Sequence, residues 1–365
     1  MPEQSRRSFL RRLTVLGCAA ALSREDSIGQ PAANPRRIDV HHHFTPPAYL
    51  QFLKAHNQGG GGVPGGRGAL TSAYAGWTLA EDLEDMDRSG TATAILSITT
   101  PGFYFAEKEE ARKIVRECNE FAAKLRSEHA GRFGSFAALP ATDPEGSLRE
   151  IEYALDTLKA DGIGLFSNYG DIWLGDEKLK PLHEELNRRK AVVYVHPIEG
   201  NCCRNIVKDV TDTVVEYGAD TTRTIASLVF SGTTTRYPDI TWIFSHAGGM
   251  MPFVIERFVA GTVVEIVPGT KTKGQGNLPP AKVPKGVLYE LRKMYYDTAQ
   301  ATNPIAMGAL RKVVPVSQIV YGTDYWYRSA QETALGLTSN GVFTKDELEA
   351  VNRGNAMRIL PRYRA

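Results

Sequence analysis

The stretch Ile38-Asp39-Val40-His41-His42-His43 has the pattern of a short buried strand that ends in three histidines. Short, continuous apolar runs of this kind are typical of parallel strands that are covered on both faces. Side chains alternate along a strand, so His41 and His43 point to one side and His42 to the other. Since two imidazoles on one face can bind the same divalent ion, we expect His41 and His43 to be metal ligands. His42 is expected to face away from them, towards a helix layer.

The same strand pattern recurs along the rest of the chain, in alternation with helical patterns. Two helices have clear start signals, because Thr78 and Thr344 are each followed three residues later by a glutamate, as in a capping box. Eight β/α units predict an α/β fold that closes as a (β/α)8 TIM barrel. Residues 38–365 are therefore interpreted as a single catalytic barrel domain, with insertions near residues 57–76 and 262–286. The predicted strands are residues 38–43, 92–98, 133–138, 163–166, 191–196, 240–246, 294–297 and 318–322.

Further side chains that bind metals lie where predicted strands end, and the active sites of such barrels lie at the carboxyl ends of the strands. His196 ends the fifth strand and Asp324 follows the eighth, so they join His41 and His43 in a predicted mononuclear site. Three imidazoles and one carboxylate suit Zn²⁺, with Mn²⁺ as the alternative, and no organic cofactor is expected. His246, at the end of the sixth strand, is expected to stay unligated beside the ion.

The composition excludes two classes of partner. The chain has 43 Lys and Arg against 41 Asp and Glu, a net charge of +2, whereas proteins that coat nucleic acid need a strongly basic face. No segment after the amino terminus reaches the ~18 consecutive apolar residues that a membrane span needs. We therefore expect neither a nucleic-acid partner nor a membrane span. Cys202 and Cys203 are adjacent, where a disulfide is strained, so both are expected to be free thiols.

The amino-terminal residues 1–37 carry the excess positive charge, with seven arginines against three acidic residues. The motif Arg6-Arg7-Ser8-Phe9-Leu10, followed by a short apolar stretch, resembles a twin-arginine export signal. We expect residues 1–37 to be a leader and linker that direct the protein to the periplasm or the extracellular space. The alternative is a basic amino terminus without an export function, which would leave the protein in the cytoplasm.

Four motifs follow one another at the strand ends: IDVHHHF from Ile38, VHP from Val195, FSHAGG from Phe244 and YGTD from Tyr321. Over about residues 38–361 they resemble the amidohydrolase superfamily, specifically its decarboxylase branch related to aminocarboxymuconate-semialdehyde decarboxylase, and most of all the 6-methylsalicylate decarboxylase type. The resemblance implies a metal-dependent, non-oxidative decarboxylase, which is a carboxy-lyase. The implied substrate is a small hydroxylated aromatic acid of the salicylate type, or a related unsaturated carboxylic acid. The resemblance also implies a homo-oligomer, either a dimer or a tetramer.

The resemblance implies a role for each residue at the strand ends. His41, His43, His196 and Asp324 match the metal ligands of the family, and His246 matches the unligated histidine that contacts metal-bound water or substrate. Asp324 and His246 are thus the predicted catalytic residues. Asp324 is expected to deliver a proton to the ring carbon, while His246 keeps it correctly protonated or takes the proton itself.

A metal-dependent hydrolase of an amide, an ester or a lactone is the alternative function, because the same ligands would activate a water molecule. Binuclear members of the superfamily have a lysine at the end of strand 4, where this chain reads Ser167-Asn168. The absence of that lysine favours a single metal ion and decarboxylation.

Five further residues are candidate contacts for the carboxylic acid substrate. Arg204 would clamp a carboxylate, with a surface ion pair as the alternative. Asn168 and Tyr169 follow strand 4 and would line the pocket, with loop packing as the alternative. Phe103 and Trp326 would stack on a ring, with core packing as the alternative.

Overall fold

Eight strands and thirteen α-helical segments form the part of the chain that this computed structural model describes, which is residues 35–56, 76–259 and 282–364. The predicted leader at residues 1–37 and the predicted insertions near 57–76 and 262–286 lie almost wholly outside these ranges. The strands are β1 (Arg37–His43), β2 (Thr91–Ser97), β3 (Phe133–Ala137), β4 (Gly162–Phe166), β5 (Val192–His196), β6 (Thr241–Phe244), β7 (Tyr295–Asp297) and β8 (Ile319–Val320). The helices are α1 (Pro47–Ala55), α2 (Leu79–Ser89), α3 (Lys108–Glu128), α4 (Pro144–Glu152), α5 (Lys180–Arg188), α6 (Asp212–Phe230), α7 (Thr233–Arg236), α8 (Ile255–Val259), α9 (Val287–Leu291), α10 (Pro304–Val313), α11 (Ala330–Ser339), α12 (Lys345–Glu349) and α13 (Asn355–Ile359).

All neighbouring strands are parallel and follow the order β1 to β8, so the predicted (β/α)8 TIM barrel is confirmed. Backbone hydrogen bonds across the seam between β8 and β1, such as Val40 N to Tyr321 O at 3.0 Å, bring the two edge strands together. Each predicted strand boundary lies within two residues of the observed one. The largest differences are at the ends of β6 and β8, which each stop two residues before the predicted end. β6 ends at Phe244 because His246 and Ala247 adopt positive φ angles of 53° and 56° that a strand cannot continue through.

The two helices that start with a capping-box sequence have side chains that satisfy free backbone groups. The Thr78 side chain accepts a hydrogen bond from Glu81 N, and Gly90 ends α2 in the left-handed conformation at φ 69°. At α12, Thr344 and Glu347 form a complete capping box. The two helix starts predicted from capping boxes are therefore confirmed.

The interior of the barrel is filled below the strand ends by a layer of large apolar side chains. This cluster includes Ile38, Val40, Ile95, Tyr194 and Val320, each at most 1% exposed. The ring of Tyr194 lies 5.3 Å from the ring of His41, so the apolar layer directly supports the first histidine of the strand-end motif. Close packing of this kind holds a functional side chain in one rotamer.

His42 points out of the barrel, as the alternation of the strand predicts, and is completely buried. Its Nδ1 lies 2.9 Å from Asp39 and its Nε2 2.8 Å from Asp82 of α2, while its ring stacks on Tyr325 at 4.6 Å. Burial acts to lower the pKa of His42, but the two carboxylates outweigh it and raise the pKa to about 10. His42 is thus a buried cation that joins β1 to the helix layer.

Cys202 and Cys203 are joined by a disulfide, so the prediction of two free thiols is wrong. The chain forms a short helical turn at Asn201–Cys203, and this turn brings the two neighbouring sulfurs into contact. Among the described residues, no helix has the length and hydropathy to cross a bilayer.

Candidate metal centre

Three histidine rings are oriented by acceptors that bind their Nδ1 atoms. Nδ1 of His41 lies 2.7 Å from Asp297 Oδ2, at the end of β7. Nδ1 of His43 lies 3.2 Å from a backbone carbonyl at the end of β2, and Nδ1 of His196 lies 2.8 Å from the carbonyl of Pro197. An acceptor at Nδ1 fixes the proton there and leaves the lone pair on Nε2, which is the tautomer of a histidine that binds metal. Because Asp297 ends a strand, the sequence predicts that it holds a ligand imidazole, and in the structure it contacts His41.

The free sides of these rings converge on one carboxylate oxygen. Nε2 of His41 and Nε2 of His43 are 3.0 Å apart, and each lies 3.1 Å from Oδ1 of Asp324. The ring of His196 completes the group, with its centroid 4.7 Å from that of His43. The four predicted ligands therefore meet at the carboxyl end of the barrel. His246 also lies close enough to offer a nitrogen within 4.8 Å of the ligand atoms of His41, His196 and Asp324.

This donor set fits a single divalent cation. Oδ1 of Asp324 is buried, and among the described residues it makes no hydrogen bond. Several lone pairs packed this closely repel one another unless a positive charge lies among them. Imidazole nitrogen with carboxylate oxygen is the donor chemistry of mononuclear sites for zinc and related metals.

The burial of the site sets the charge of its members. Desolvation lowers the pKa of both His43 and His196, which keeps these rings neutral and able to bind metal. Burial opposes ionisation of Asp324, but the charge of His41 and the hydrogen bond between His246 and Oδ2 hold its pKa well below the usual range. Burial lowers the pKa of His41, but Asp297 and Asp324 outweigh it and raise the pKa to about 10. The raised pKa shows that the space between these two carboxylates favours a positive charge.

His246 lies on the rim of the site, on the tight turn that follows β6. Its backbone N–H donates to Asp297 Oδ1 at 2.8 Å, so the carboxylate that orients His41 also anchors this turn. Its side chain is partly exposed, and Nε2 lies 3.3 Å from Oδ2 of Asp324. His246 therefore faces the carboxylate oxygen that points away from His41 and His43.

A cavity of about 450 Å³ opens above the site. His196, His246 and Asp324 form its floor. Sequence reasoning did not identify the remaining lining residues, because they come from loops and from the start of α6 and belong to no recognisable motif. The remaining lining residues are Thr99, Thr100, Thr213, Val214, Tyr217, Gly218, Gln300, Tyr327 and Arg328.

Asn168, a predicted substrate contact, joins two loops beneath the cavity. Its amide donates to Ile198 O at 2.7 Å and to Asp220 Oδ2 at 2.8 Å, and the side chain is buried. Asp220 also accepts hydrogen bonds from Ser167 and, at 2.9 Å, from Trp173. The polar residues at the end of β4 are thus bound to a buried carboxylate on α6.

The other predicted substrate contacts lie beside the metal centre rather than in the larger cavity. Phe103 and Tyr169 are buried and line a much smaller cavity of about 20 Å³ next to His196. The Arg204 guanidinium hydrogen-bonds the Tyr104 hydroxyl and lies 3.5 Å from Glu199. Trp326 stacks on Tyr327, with ring centroids 5.4 Å apart, and its ring lies edge-on to His43 at 6.5 Å.

Because Gly322 has no side chain, the segments that carry Asp297 and Asp324 can lie close to His41 of β1. A Cβ atom at this position would lie 2.8 Å from the Cβ atoms of both Asp297 and His41. We expect Gly322→Ala to displace His41 and to lower the free energy of unfolding by about 1–3 kcal/mol, as overpacking does. Metal titration and urea denaturation would measure the two effects.

Gly308→Ala is the matched control, because a Cβ atom there meets nothing within 4 Å and the residue lies inside α10. This substitution is expected to raise the free energy of unfolding by about 0.5–1 kcal/mol, since alanine favours a helix interior over glycine. Equal stability and equal metal affinity of the two variants would contradict the tight fit at Gly322.

Comparison with known proteins shows the family of this chain. A family model for amidohydrolases matches residues 38–362. The chain is 34% identical over 344 residues to the decarboxylase yanB of Aspergillus niger, covering 90% of this chain and 88% of that protein. It is 33% identical over 339 residues to the 6-methylsalicylic acid decarboxylase acuB of Aspergillus aculeatus, covering 89% of this chain and 96% of that protein.

A solved structure shows the same fold. This chain is similar to the crystal structure of a dihydroxybenzoic acid decarboxylase from a Polaromonas species, which contains bound manganese and the inhibitor 2-nitroresorcinol. The TM-score is 0.73 and the sequence identity 20%, and the match covers 90% of this chain and 98% of that one. The family match spans nearly the whole barrel, and the histidine and aspartate motifs lie within it. This chain therefore belongs to the amidohydrolase family.

Proposed function

We propose that this protein is a metal-dependent, non-oxidative decarboxylase that releases CO₂ from a small hydroxylated aromatic acid of the salicylate type, or from a related unsaturated carboxylic acid. The observation that carries the proposal is the position of Asp324, whose Oδ1 lies among the ligand nitrogens while its Oδ2 lies beside His246 at the floor of the cavity. A carboxyl group in this position can both bind the ion and carry a proton to a bound ring. The similarity to proteins named as decarboxylases supports the same reaction.

The cavity residues would bind and orient the acid. A divalent ion, when bound, supplies positive charge that draws the substrate carboxylate and a neighbouring hydroxyl to the ligand group. Thr100 and Tyr217, whose hydroxyls lie 3.0 Å apart, present polar groups on one wall, and Arg328 adds a cation at the rim. Five residues in the layer around this cavity remain proposed substrate contacts: Phe103, Asn168, Tyr169, Arg204 and Trp326.

The proton would move along the contact between His246 and Asp324. Asp324 is ionised in the free site, so it would first take up a proton from solvent through His246, which lies 3.3 Å from Oδ2. The carbon that bears the carboxylate would then gain a C–H bond with that proton, delivered by Asp324 or directly by His246, and the bond to the carboxylate would break so that its electron pair stays on the ring and CO₂ leaves. The reaction needs no organic cofactor, because the ring itself accepts the electron pair of the broken bond.

The proposed ion is Zn²⁺, one per chain, because three imidazoles and one carboxylate are a typical zinc donor set. Mn²⁺ is the alternative, and the manganese in the related dihydroxybenzoic acid decarboxylase supports it. Export by a twin-arginine signal at residues 1–37 and assembly into a dimer or a tetramer also remain proposals; fractionation of the expressing cells and light scattering of the purified protein would test them.

The test is a metal count on purified protein, followed by incubation with hydroxybenzoates and, separately, with simple amides, esters and lactones. We expect about one metal ion per chain, and CO₂ with the matching phenol as the only products from one or more hydroxybenzoates. Formation of a ring-opened acid or a free amine without CO₂ would replace the proposal with the hydrolase. The His246→Ala variant, run in parallel, controls for CO₂ lost without catalysis.

A further inference from the structure

The two oxygens of Asp324 have different surroundings. Oδ1 lies 3.1 Å from the Nε2 atoms of both His41 and His43, within the ligand group. Oδ2 lies 3.3 Å from Nε2 of His246 and accepts a hydrogen bond from the side-chain amide of Gln300. The torsion that turns a carboxyl group is broad, so the side chain alone does not fix the plane of the carboxyl group.

Gln300 reaches this oxygen from the loop that follows β7. It lies three residues after Asp297 and forms part of the wall of the 450 Å³ cavity, where it is exposed. None of the metal-binding motifs includes it. Its side chain makes the hydrogen bond to Asp324 Oδ2, which is a charge-assisted bond from an amide to a carboxylate.

The backbone conformation of the loop supports a role for this side chain. Gln300 has a φ angle of +50°, and the two residues that it meets, His246 and Asp324, have φ angles of +53° and +62°. Residues other than glycine rarely adopt this left-handed backbone conformation. All three residues that meet at Oδ2 therefore keep an unfavourable backbone conformation, which is typical of positions held for function.

We propose that Gln300 is a positioning residue that fixes the plane of the Asp324 carboxyl group, so that one oxygen faces the metal ligands while the other faces the cavity. Its amide occupies Oδ2 from one side and leaves the contact with His246 on the other. Without this donor Oδ2 keeps only the 3.3 Å contact with His246, and the plane of the carboxyl group turns. The inference extends the proposed function, but it concerns the geometry of the ligand group and is measurable without turnover.

The first experiment uses Gln300→Met, which keeps the length of the side chain and removes the donor. Chelator-stripped protein is titrated with Zn²⁺, and the visible spectrum of the Co²⁺ form is recorded. We expect the Kd for Zn²⁺ to rise about tenfold or more and the Co²⁺ absorption bands to change, as for other residues that orient a metal ligand. The matched control is Gln331→Met, an exposed glutamine on α11, which is expected to change neither reading.

The second variant, Gln300→Gly, separates positioning from structural support. Glycine accepts the left-handed conformation, so the metal-free variant is expected to have a Tm equal to or above that of the unsubstituted protein, while its Kd for Zn²⁺ still rises. A lower Tm with unchanged Zn²⁺ affinity and an unchanged Co²⁺ spectrum in both variants would overturn the inference. If the unsubstituted protein binds Zn²⁺ but releases no CO₂ from any acid, the proposed function fails while the role of Gln300 is still decided by the metal data.

Discussion

The Asp324→Asn variant is expected to release CO₂ at least about 10³-fold more slowly than the unsubstituted enzyme while remaining folded. An amide has the shape of the carboxyl group but cannot carry the proton that the ring carbon must receive, and general acid catalysis of this kind contributes about 10²–10⁴-fold. Asparagine also tolerates the left-handed backbone at this position, where φ is +62°, so the fold has no reason to change. Stopped assays of CO₂ release at saturating substrate would measure the loss.

The amide weakens the ligand group as well, so the metal content of the variant must be measured first. Assays at a metal concentration that fills the site separate the loss of a proton carrier from the loss of the ion. His246→Ala is the companion variant, because it removes the partner of Oδ2 and leaves the three ring nitrogens and Oδ1 in place. Full metal occupancy with a near-normal rate in both variants would remove Asp324 and His246 from the proton path.

Removal of the metal is expected to reduce CO₂ release by about two orders of magnitude or more, and one equivalent of Zn²⁺ or Mn²⁺ per chain should restore it. The reason is that the ion supplies the positive charge that draws the substrate carboxylate to the site, whereas the charge of a protonated His41 is taken up by Asp297 and Asp324, which lie 2.7 and 3.1 Å from its ring nitrogens. Dialysis against a chelator, followed by readdition of each metal, measures the effect. The metal that restores the higher kcat/KM identifies the ion on which the enzyme depends.

The same treatment should lower the thermal stability. A ligand present at 100 times its Kd adds about 2.7 kcal/mol to the free energy of unfolding, so the metal-free protein should unfold at a lower temperature. Gly308→Ala serves as the control, since it alters stability at a site where no other atom is near. A chelated protein with full activity and an unchanged Tm would show that the histidine cluster has a purely structural role.

The sequence was sufficient to predict the barrel and the meeting of the four candidate ligands at its carboxyl end. Buried parallel strands are continuous apolar runs, and the ligands lie at the ends of those runs, so His41, His43 and His196 are found by one rule. The rule also separates His42 from its neighbours, because the strand alternation is strict. The end of β6 is the exception. His246 and Ala247 follow it with positive φ angles, and positive φ angles of non-glycine residues cannot be predicted from the sequence pattern.

The residues that line the walls of the cavity could not be predicted from the sequence. Gln300 and Tyr217 come from a loop and from the first turns of a helix, and only the closure of the barrel brings them near Asp324 and His196. Asn168 illustrates the opposite difficulty. It has the composition and the position of a substrate contact, yet its hydrogen bonds go to Ile198 and to a buried carboxylate of α6, which lies about 50 residues along the chain.

The three histidines of β1 restrict how the length of this chain can change. Two of them face the proposed metal site, and the one between them is a buried cation held by two acids. Deleting or inserting one residue within the strand would exchange the two faces, and it would remove both candidate metal ligands and the charge pair at the same time. Changes of chain length are therefore tolerable in the loops of this barrel but not in its first strand, where two separate functions depend on one register.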